Sequence, residues 1–126
     1  MNHKVLIVED EILALRNLLG LVDWEKEGFT VCGAVMNAKE ALAVYKKTTP
    51  QILIVDIGLP GMNGLELSKQ IIELNPNVYV ILLTAFKDFN YAKEAVNLGI
   101  NRYLLKNELT EETLIVELKE AVRDLI

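Results

Sequence analysis

Cysteine, proline and glycine are all scarce in this chain of 126 residues, which holds one, three and seven of them. So few Pro and Gly, beside 52% hydrophobic and 25% charged residues, exclude a low-complexity or disordered segment. The lone Cys32 cannot close an internal disulfide. Long apolar runs are also missing. Stretches such as Val78–Leu83 fall far short of the ~20 residues that a spanning helix needs. Met1-Asn2-His3-Lys4 leads straight into a short strand-like run, without the hydrophobic region of a signal peptide, so a cytoplasmic location is expected. There is no cluster of Lys or Arg, and the formal charge is −5, which argues against direct contact with a nucleic-acid backbone. No Gly-x-x-x-x-Gly-Lys loop is present to bind ATP as a direct donor.

What is there is a regular alternation. Val5–Val8, Phe29–Val35, Ile52–Val55, Val78–Leu83 and Tyr103–Leu105 read as five strands, mostly too continuous for a sheet with one wet face. Between and after them, apolar residues recur at helical spacing: Ile12/Leu15/Leu18/Leu19/Val22, Ala38/Ala41/Leu42/Tyr45, Leu67/Ile71/Leu74, Ala92/Ala95/Val96 and Leu114/Leu118/Ala121/Val122/Leu125. Asn37 before Glu40 and Asn63 before Glu66 have the spacing of a capped helix start, and Thr110 precedes Glu111 and Glu112 where a helix dipole favours anions. The length suits one domain spanning 1–126. Strict alternation predicts an α/β doubly wound fold, a five-stranded parallel sheet with helices on both faces.

In such sheets functional groups gather beyond the carboxyl ends of the strands. The first strand runs into Glu9-Asp10-Glu11, the third ends on Asp56, the fourth on Thr84-Ala85 and the fifth on Lys106. Acids converging on one region repel unless a cation sits among them, and hard oxygen donors with few protein contacts suit Mg²⁺. Lys106 and the Thr84 hydroxyl can each meet an oxygen of a transferring phosphoryl group, and Asp56 can serve as the carboxylate nucleophile. Each signal alone has an ordinary explanation. Glu9 to Glu11 would be a solvated helix start, Thr84 a β-branched strand residue, and Lys106 an exposed cation. Their joint placement at the strand ends favours phosphoryl acceptance.

Val-Glu-Asp-Glu (8–11), Ile-Val-Asp-Ile-Gly-Leu-Pro-Gly-Met-Asn-Gly (54–64), Leu-Thr-Ala (83–85) and Tyr-Leu-Leu-Lys (103–106) together resemble the motifs of two-component response-regulator receiver domains, over nearly the whole chain. The resemblance implies a flavodoxin-like (βα)5 arrangement with strand order 2-1-3-4-5. It also implies that Asp56 is the phosphoacceptor, Asp10 a direct Mg²⁺ ligand, Glu9 a ligand acting largely through water, and Gly58 the source of a coordinating backbone carbonyl. It further implies that Thr84 binds a phosphoryl oxygen and Lys106 pairs with the group. Tyr103 would be an aromatic switch coupled to Thr84. The implied partner is a sensor histidine kinase, and the face made by the fourth helix, fifth strand and fifth helix can form a homodimer. Residues 23–29 and 86–95 resemble receivers joined to AraC-type DNA-binding domains, so DNA contact is expected only through an output domain outside this chain. Exposed positions of the first helix, such as Ala14 and Asn17, would read the kinase.

Two departures bear on the site. Receivers typically carry Pro after the final Lys in a cis bond, whereas here Asn107 follows Lys106, and a cis bond before Asn costs about 2.5–4 kcal/mol, so a trans bond is expected. Gly58 removes a side chain often found near the phosphate. Three classes remain in competition: a phosphoacceptor switch, a small-molecule phosphatase or phosphotransferase, and a phosphorylation-independent interaction module. The second lacks an acid two residues after Asp56, and the third would usually lack one of Asp10, Asp56, Thr84 or Lys106. An enzyme in the ordinary sense is therefore not expected. Tyr103 is by default a half-buried strand aromatic. His3 is expected at a frayed start, and Trp24 where the first helix gives way to the second strand.

Overall fold

Five apolar runs become parallel strands and the amphipathic segments between them become helices. The elements are β1 (His3–Val8), α1 (Ile12–Leu21), β2 (Phe29–Val35), α2 (Ala38–Thr48), β3 (Ile52–Asp56), α3 (Gly64–Leu74), β4 (Tyr79–Thr84), α4 (Phe89–Leu98), β5 (Arg102–Leu105) and α5 (Glu111–Leu125). The computed structural model describes residues 2–85 and 89–125, the side chain of Phe89 excepted. Of the stretch 86–95, residues 86–88 lie outside the described residues. The strands are all parallel, as the alternation predicts, and their order is β2-β1-β3-β4-β5, as the resemblance implies.

Period-two patterning divides each central strand between two cores. Leu6, Val8, Leu53, Val55, Val80 and Leu82 pack with residues of α2 and α3 and with Ala95 of α4. Val5, Ile7, Ile52, Ile54, Ile81 and Leu83 pack with Leu15 and Leu18 of α1 and with Leu114, Leu118 and Ala121 of α5. β3 and β4 are buried at every position, while β2 and β5, at the sheet edges, are mostly half-buried. This is why the central strands read as continuous apolar runs.

The helix starts form as their caps predict. Asn37 and Asn63 each accept a hydrogen bond from the backbone N–H three residues on, at 2.9 Å, and the Thr113 N–H donates to the Thr110 hydroxyl at 3.1 Å. At the end of α4, Gly99 takes φ +81°, its N–H donating to Val96 and that of Ile100 to Ala95, which closes the helix in a left-handed turn. Trp24 lies buried after α1, its indole N–H donating to the Leu19 carbonyl at 3.1 Å.

His3 departs from expectation. It belongs to β1 rather than to a frayed start, because its N–H donates to the Gly28 carbonyl at 3.1 Å and its ring stands 6.4 Å from that of Phe29. Pairing with β2 extends β1 two residues beyond its apolar run. The Lys106–Asn107 bond is trans, as expected for a non-proline residue. From there the chain turns through a short 3₁₀ segment, Lys106–Glu108, closed by the Leu109 N–H on the Lys106 carbonyl at 3.2 Å.

Candidate functional site

Four strands deliver the chain to one cleft at their carboxyl ends. Just past β1, the Glu9 N–H donates to the Val35 carbonyl at 3.0 Å, and the Glu9 side chain is fully buried. Asp56 ends β3 with 5% exposure, Thr84 ends β4 with none, and Lys106 follows β5. Asp10 is half-buried beside them. Carboxylate oxygens of Glu9, Asp10 and Asp56 lie within 4.8 Å of one another, and a cleft of about 230 Å³ opens over Asp10, Asp56, Gly58, Thr84, Ala85 and Lys106.

Backbone donors orient the acids. The Gly58 N–H donates to Asp56 Oδ1 at 3.3 Å, and the Glu11 N–H to Glu9 Oε2 at 3.2 Å. The Lys106 ammonium contacts Glu9 Oε1 and stands 3.1 Å from Asp56 Oδ2. Burial pushes the Glu9 carboxyl up to about 7; contact with Lys106 opposes this shift and the neighbouring Asp56 charge adds to it. Burial by itself would lower Lys106, but Glu9 and Asp56 outweigh it and hold the ammonium above the ordinary lysine range. Three converging carboxylates offer the hard oxygen donors of a Mg²⁺ site, and one lysine does not balance them. The residues present fit that ion.

Six of the seven residues expected from sequence meet here: Glu9, Asp10, Asp56, Gly58, Thr84 and Lys106. Tyr103 does not line the cleft. It is half-buried, packs on the core between the sheet and α2 to α4, and its buried hydroxyl has no hydrogen-bond partner among the described residues. On the other side of Lys106, a crevice of about 60 Å³ is bounded by Ala14, Asn17, Leu18 and Leu109.

Two features escaped the sequence reading. One is the direct pairing of Lys106 with Glu9, since nothing local marks residues so far apart as partners. The other is Gly64, at the start of α3, which lies against the backbone of Asp56 and Ile57 too closely for any side chain. The glycine ending Gly-Met-Asn-Gly was the available signal.

Residues 5–119 match the family described as the response regulator receiver domain. The chain is 37% identical over 123 residues to the uncharacterized transcriptional regulatory protein YesN of Bacillus subtilis, covering 98% of this chain and 33% of that one. It is 32% identical over 106 residues to the chemotaxis protein CheY of Thermotoga maritima, covering 84% and 87%. Among solved structures, the REC domain of AraT, a response regulator from Geobacillus stearothermophilus, superposes with a TM-score of 0.85 at 31% identity, covering 98% and 97%. The chain thus spans about a third of the length of YesN.

Proposed function

Because the chain belongs to the response regulator receiver domain family, the phosphoacceptor modules of two-component systems, we propose that Asp56 takes a phosphoryl group from a sensor histidine kinase. The observation that carries this reading is the convergence of Asp56, two further carboxylates and Lys106 at one open cleft. An Asp56 carboxylate oxygen attacks phosphorus while the phosphohistidine P–N bond breaks, giving an acyl phosphate. The Gly58 N–H on Asp56 Oδ1 leaves Oδ2, now near Lys106, as the oxygen with fewer backbone ties. Thr84 and Lys106 then meet phosphoryl oxygens.

Glu9, Asp10, Asp56 and the Gly58 carbonyl are the groups that would hold Mg²⁺. Bound there, the ion supplies positive charge against the phosphoryl oxygens. The domain regulates rather than turning over an external substrate, and both its phosphorylation and its dephosphorylation are assigned to these same residues. The added group brings about −1.5 to −2 charges, which favours a conformation with Thr84 and Lys106 closed in, and Tyr103 relays it to the face of α4, β5 and α5. That face is the proposed homodimer surface.

We read residues 1–126 as a receiver unit of a longer, cytoplasmic regulator that acts on DNA through an AraC-type output domain outside this chain; the transcriptional regulators among its relatives, one of them described as an AraC two-component regulator, favour the DNA output. Among the described residues no helix is long and apolar enough to cross a membrane.

Intact-mass spectrometry after incubation with Mg²⁺ and acetyl phosphate tests the proposal. One phosphoryl adduct is expected, absent without Mg²⁺ and absent in Asp56→Ala. A folded, metal-binding protein that takes no adduct would instead favour a phosphorylation-independent interaction module.

A further inference from the structure

The sheet stops holding the chain one residue before the lysine it must place. The last register pair of β5 joins Leu105 to Thr84, so Lys106 is the first residue past the ladder, and none of Lys106, Asn107 and Glu108 is buried. Asn107 stands where a proline would fix φ, which leaves that backbone angle free. What ties the turn down is a run of hydrogen bonds leading into α5. The Leu109 N–H donates to the Lys106 carbonyl at 3.2 Å, the Thr110 N–H to the Thr113 hydroxyl at 2.8 Å, and the Thr113 N–H back to the Thr110 hydroxyl at 3.1 Å. The Thr113 hydroxyl has one proton, with the Thr110 carbonyl at 3.2 Å and the Glu108 carbonyl at 3.5 Å in reach. The Thr110 carbonyl already accepts the Leu114 N–H at 3.0 Å, which favours Glu108. Thr113 thus closes a reciprocal cap in which a short hydroxyl takes the place of the usual Glu or Gln, and the same hydroxyl reaches into the 3₁₀ turn. Both threonines are exposed, so these hydroxyls serve the turn and not the core.

From this arrangement we propose that Thr113 is a positioning residue for phosphoryl transfer: its hydroxyl locks the turn after Lys106 to the start of α5, and so sets where the backbone of Lys106 presents its ammonium to the phosphoryl group arriving at Asp56. The inference rests on the phosphoacceptor reading and adds to it a residue that touches no reacting atom. Lys106 Nζ stands 3.1 Å from Asp56 Oδ2 at the end of a long side chain, and a shift of the turn at its root carries through to the ammonium. A cation misplaced by about 1 Å loses much of its grip on a developing charge, while the folded domain is otherwise intact.

Phosphorylation of the whole chain by acetyl phosphate at saturating MgCl₂, followed by intact-mass spectrometry, tests this for wild type, Thr113→Val, Thr113→Ser and Ala121→Gly. Thr113→Val keeps the shape and loses the hydroxyl; its maximal rate is expected to fall about fivefold, with half-saturating acetyl phosphate and Mg²⁺ within about twofold of wild type. Thr113→Ser restores the hydroxyl and is expected to return the rate to within about twofold of wild type. Ala121→Gly weakens α5 from a buried site far from the turn, and should lower the melting temperature without slowing the reaction. Circular dichroism establishes that each variant is folded at the assay temperature. A second measurement uses only wild type: the Leu109 and Thr110 amides should exchange with deuterium at least about tenfold more slowly than in an unstructured chain. Thr113→Val reacting at the wild-type maximal rate, Thr113→Ser as slow as Thr113→Val, Ala121→Gly slowed as much as Thr113→Val, or unprotected amides at Leu109 and Thr110 would each overturn the proposal and leave the phosphoacceptor reading standing. Wild type that takes no phosphoryl group removes both.

Discussion

Gly64, the first residue of α3, packs directly on the backbone of Asp56, the last residue of β3. A Cβ at Gly64 would collide with the Asp56 carbonyl and lie 2.9 Å from both its carbonyl carbon and the Ile57 Cα, and the Gly64 N–H donates to the Ile57 carbonyl at 3.0 Å. These are backbone atoms of a buried strand end, so they cannot rotate away as a flexible side chain would. Gly64→Ala is expected to cost about 1–3 kcal/mol and lower the melting temperature by about 5–10 °C. It should also slow phosphorylation by acetyl phosphate, because the backbone that must move carries the phosphoacceptor. A variant that melts with wild type would show that the contact is slack.

The crowding of carboxylates gives a second expectation. Asp10 belongs to the three-acid cluster, while Lys106 engages the other two members, so metal-free protein bears uncompensated repulsion at Asp10. Asp10→Asn should stabilise the metal-free domain by roughly 0.5–1 kcal/mol at low ionic strength, and should lose most of the thermal protection that Mg²⁺ confers on wild type. Urea denaturation with and without MgCl₂ reads both effects. Full retention of Mg²⁺ protection in the variant would remove Asp10 from the ligand set.

Glu9 makes the metal-free domain pH-sensitive in an unusual direction for a carboxylate. Burial raises it from an ordinary 4.5 to about 7, so between those values the folded protein binds more protons than the unfolded chain. The stabilisation from protonated Glu9 is complete below 4.5 and is lost as pH rises through about 7. Lys106, held above its ordinary 10.5, stays charged across this window and its contribution is lost only above it. Because a metal requires Glu9 ionised, Mg²⁺ should raise the melting temperature more at about pH 8 than at about pH 5.5, with protons released on binding near neutrality. Buffers of different ionisation enthalpy report that release calorimetrically, and a Mg²⁺ effect identical at both pH values would count against a buried, titrating Glu9.

A separate ion pair fastens β5 to α5. Arg102 Nε lies 2.5 Å from Glu117 Oε2, and Glu117 is 8% exposed whereas the arginine side chain is half-exposed. Removing the arginine strands a nearly buried carboxylate, at a cost reduced by the solvent around the arginine. Arg102→Ala should therefore destabilise by about 1–2 kcal/mol, and the Glu117→Gln change should recover much of that loss in the double variant. A double-mutant cycle in urea measures the coupling, and strictly additive effects would mean the pair contributes nothing.

Much of this was legible locally. Runs such as Ile52–Val55 and Val78–Leu83 mark central strands because both their faces are covered, and the caps at Asn37 and Asn63 mark helix starts because a side-chain oxygen meets an N–H three residues on. His3 was misread because the pairing that makes it a strand residue lies in Phe29 and Gly28, not in its own neighbourhood.

The sequence by itself determined the order of strands and helices, the two-sided burial of the sheet, and the polar residues set at the strand ends. Each depends on period-two and period-3.6 patterning or on turn chemistry, which act over a few residues. Only the tertiary structure decided that Lys106 rests on Glu9. β1 and β5 are not neighbours in the sheet, and β3 and β4 lie between them. Whether a lysine leaving one can reach a buried acid leaving the other depends on sheet twist, on the trans turn after Lys106 and on the room left above Asp56. The closeness of Gly64 to Asp56 was decided in the same way, by how α3 docks against the end of β3 rather than by any pattern along the chain.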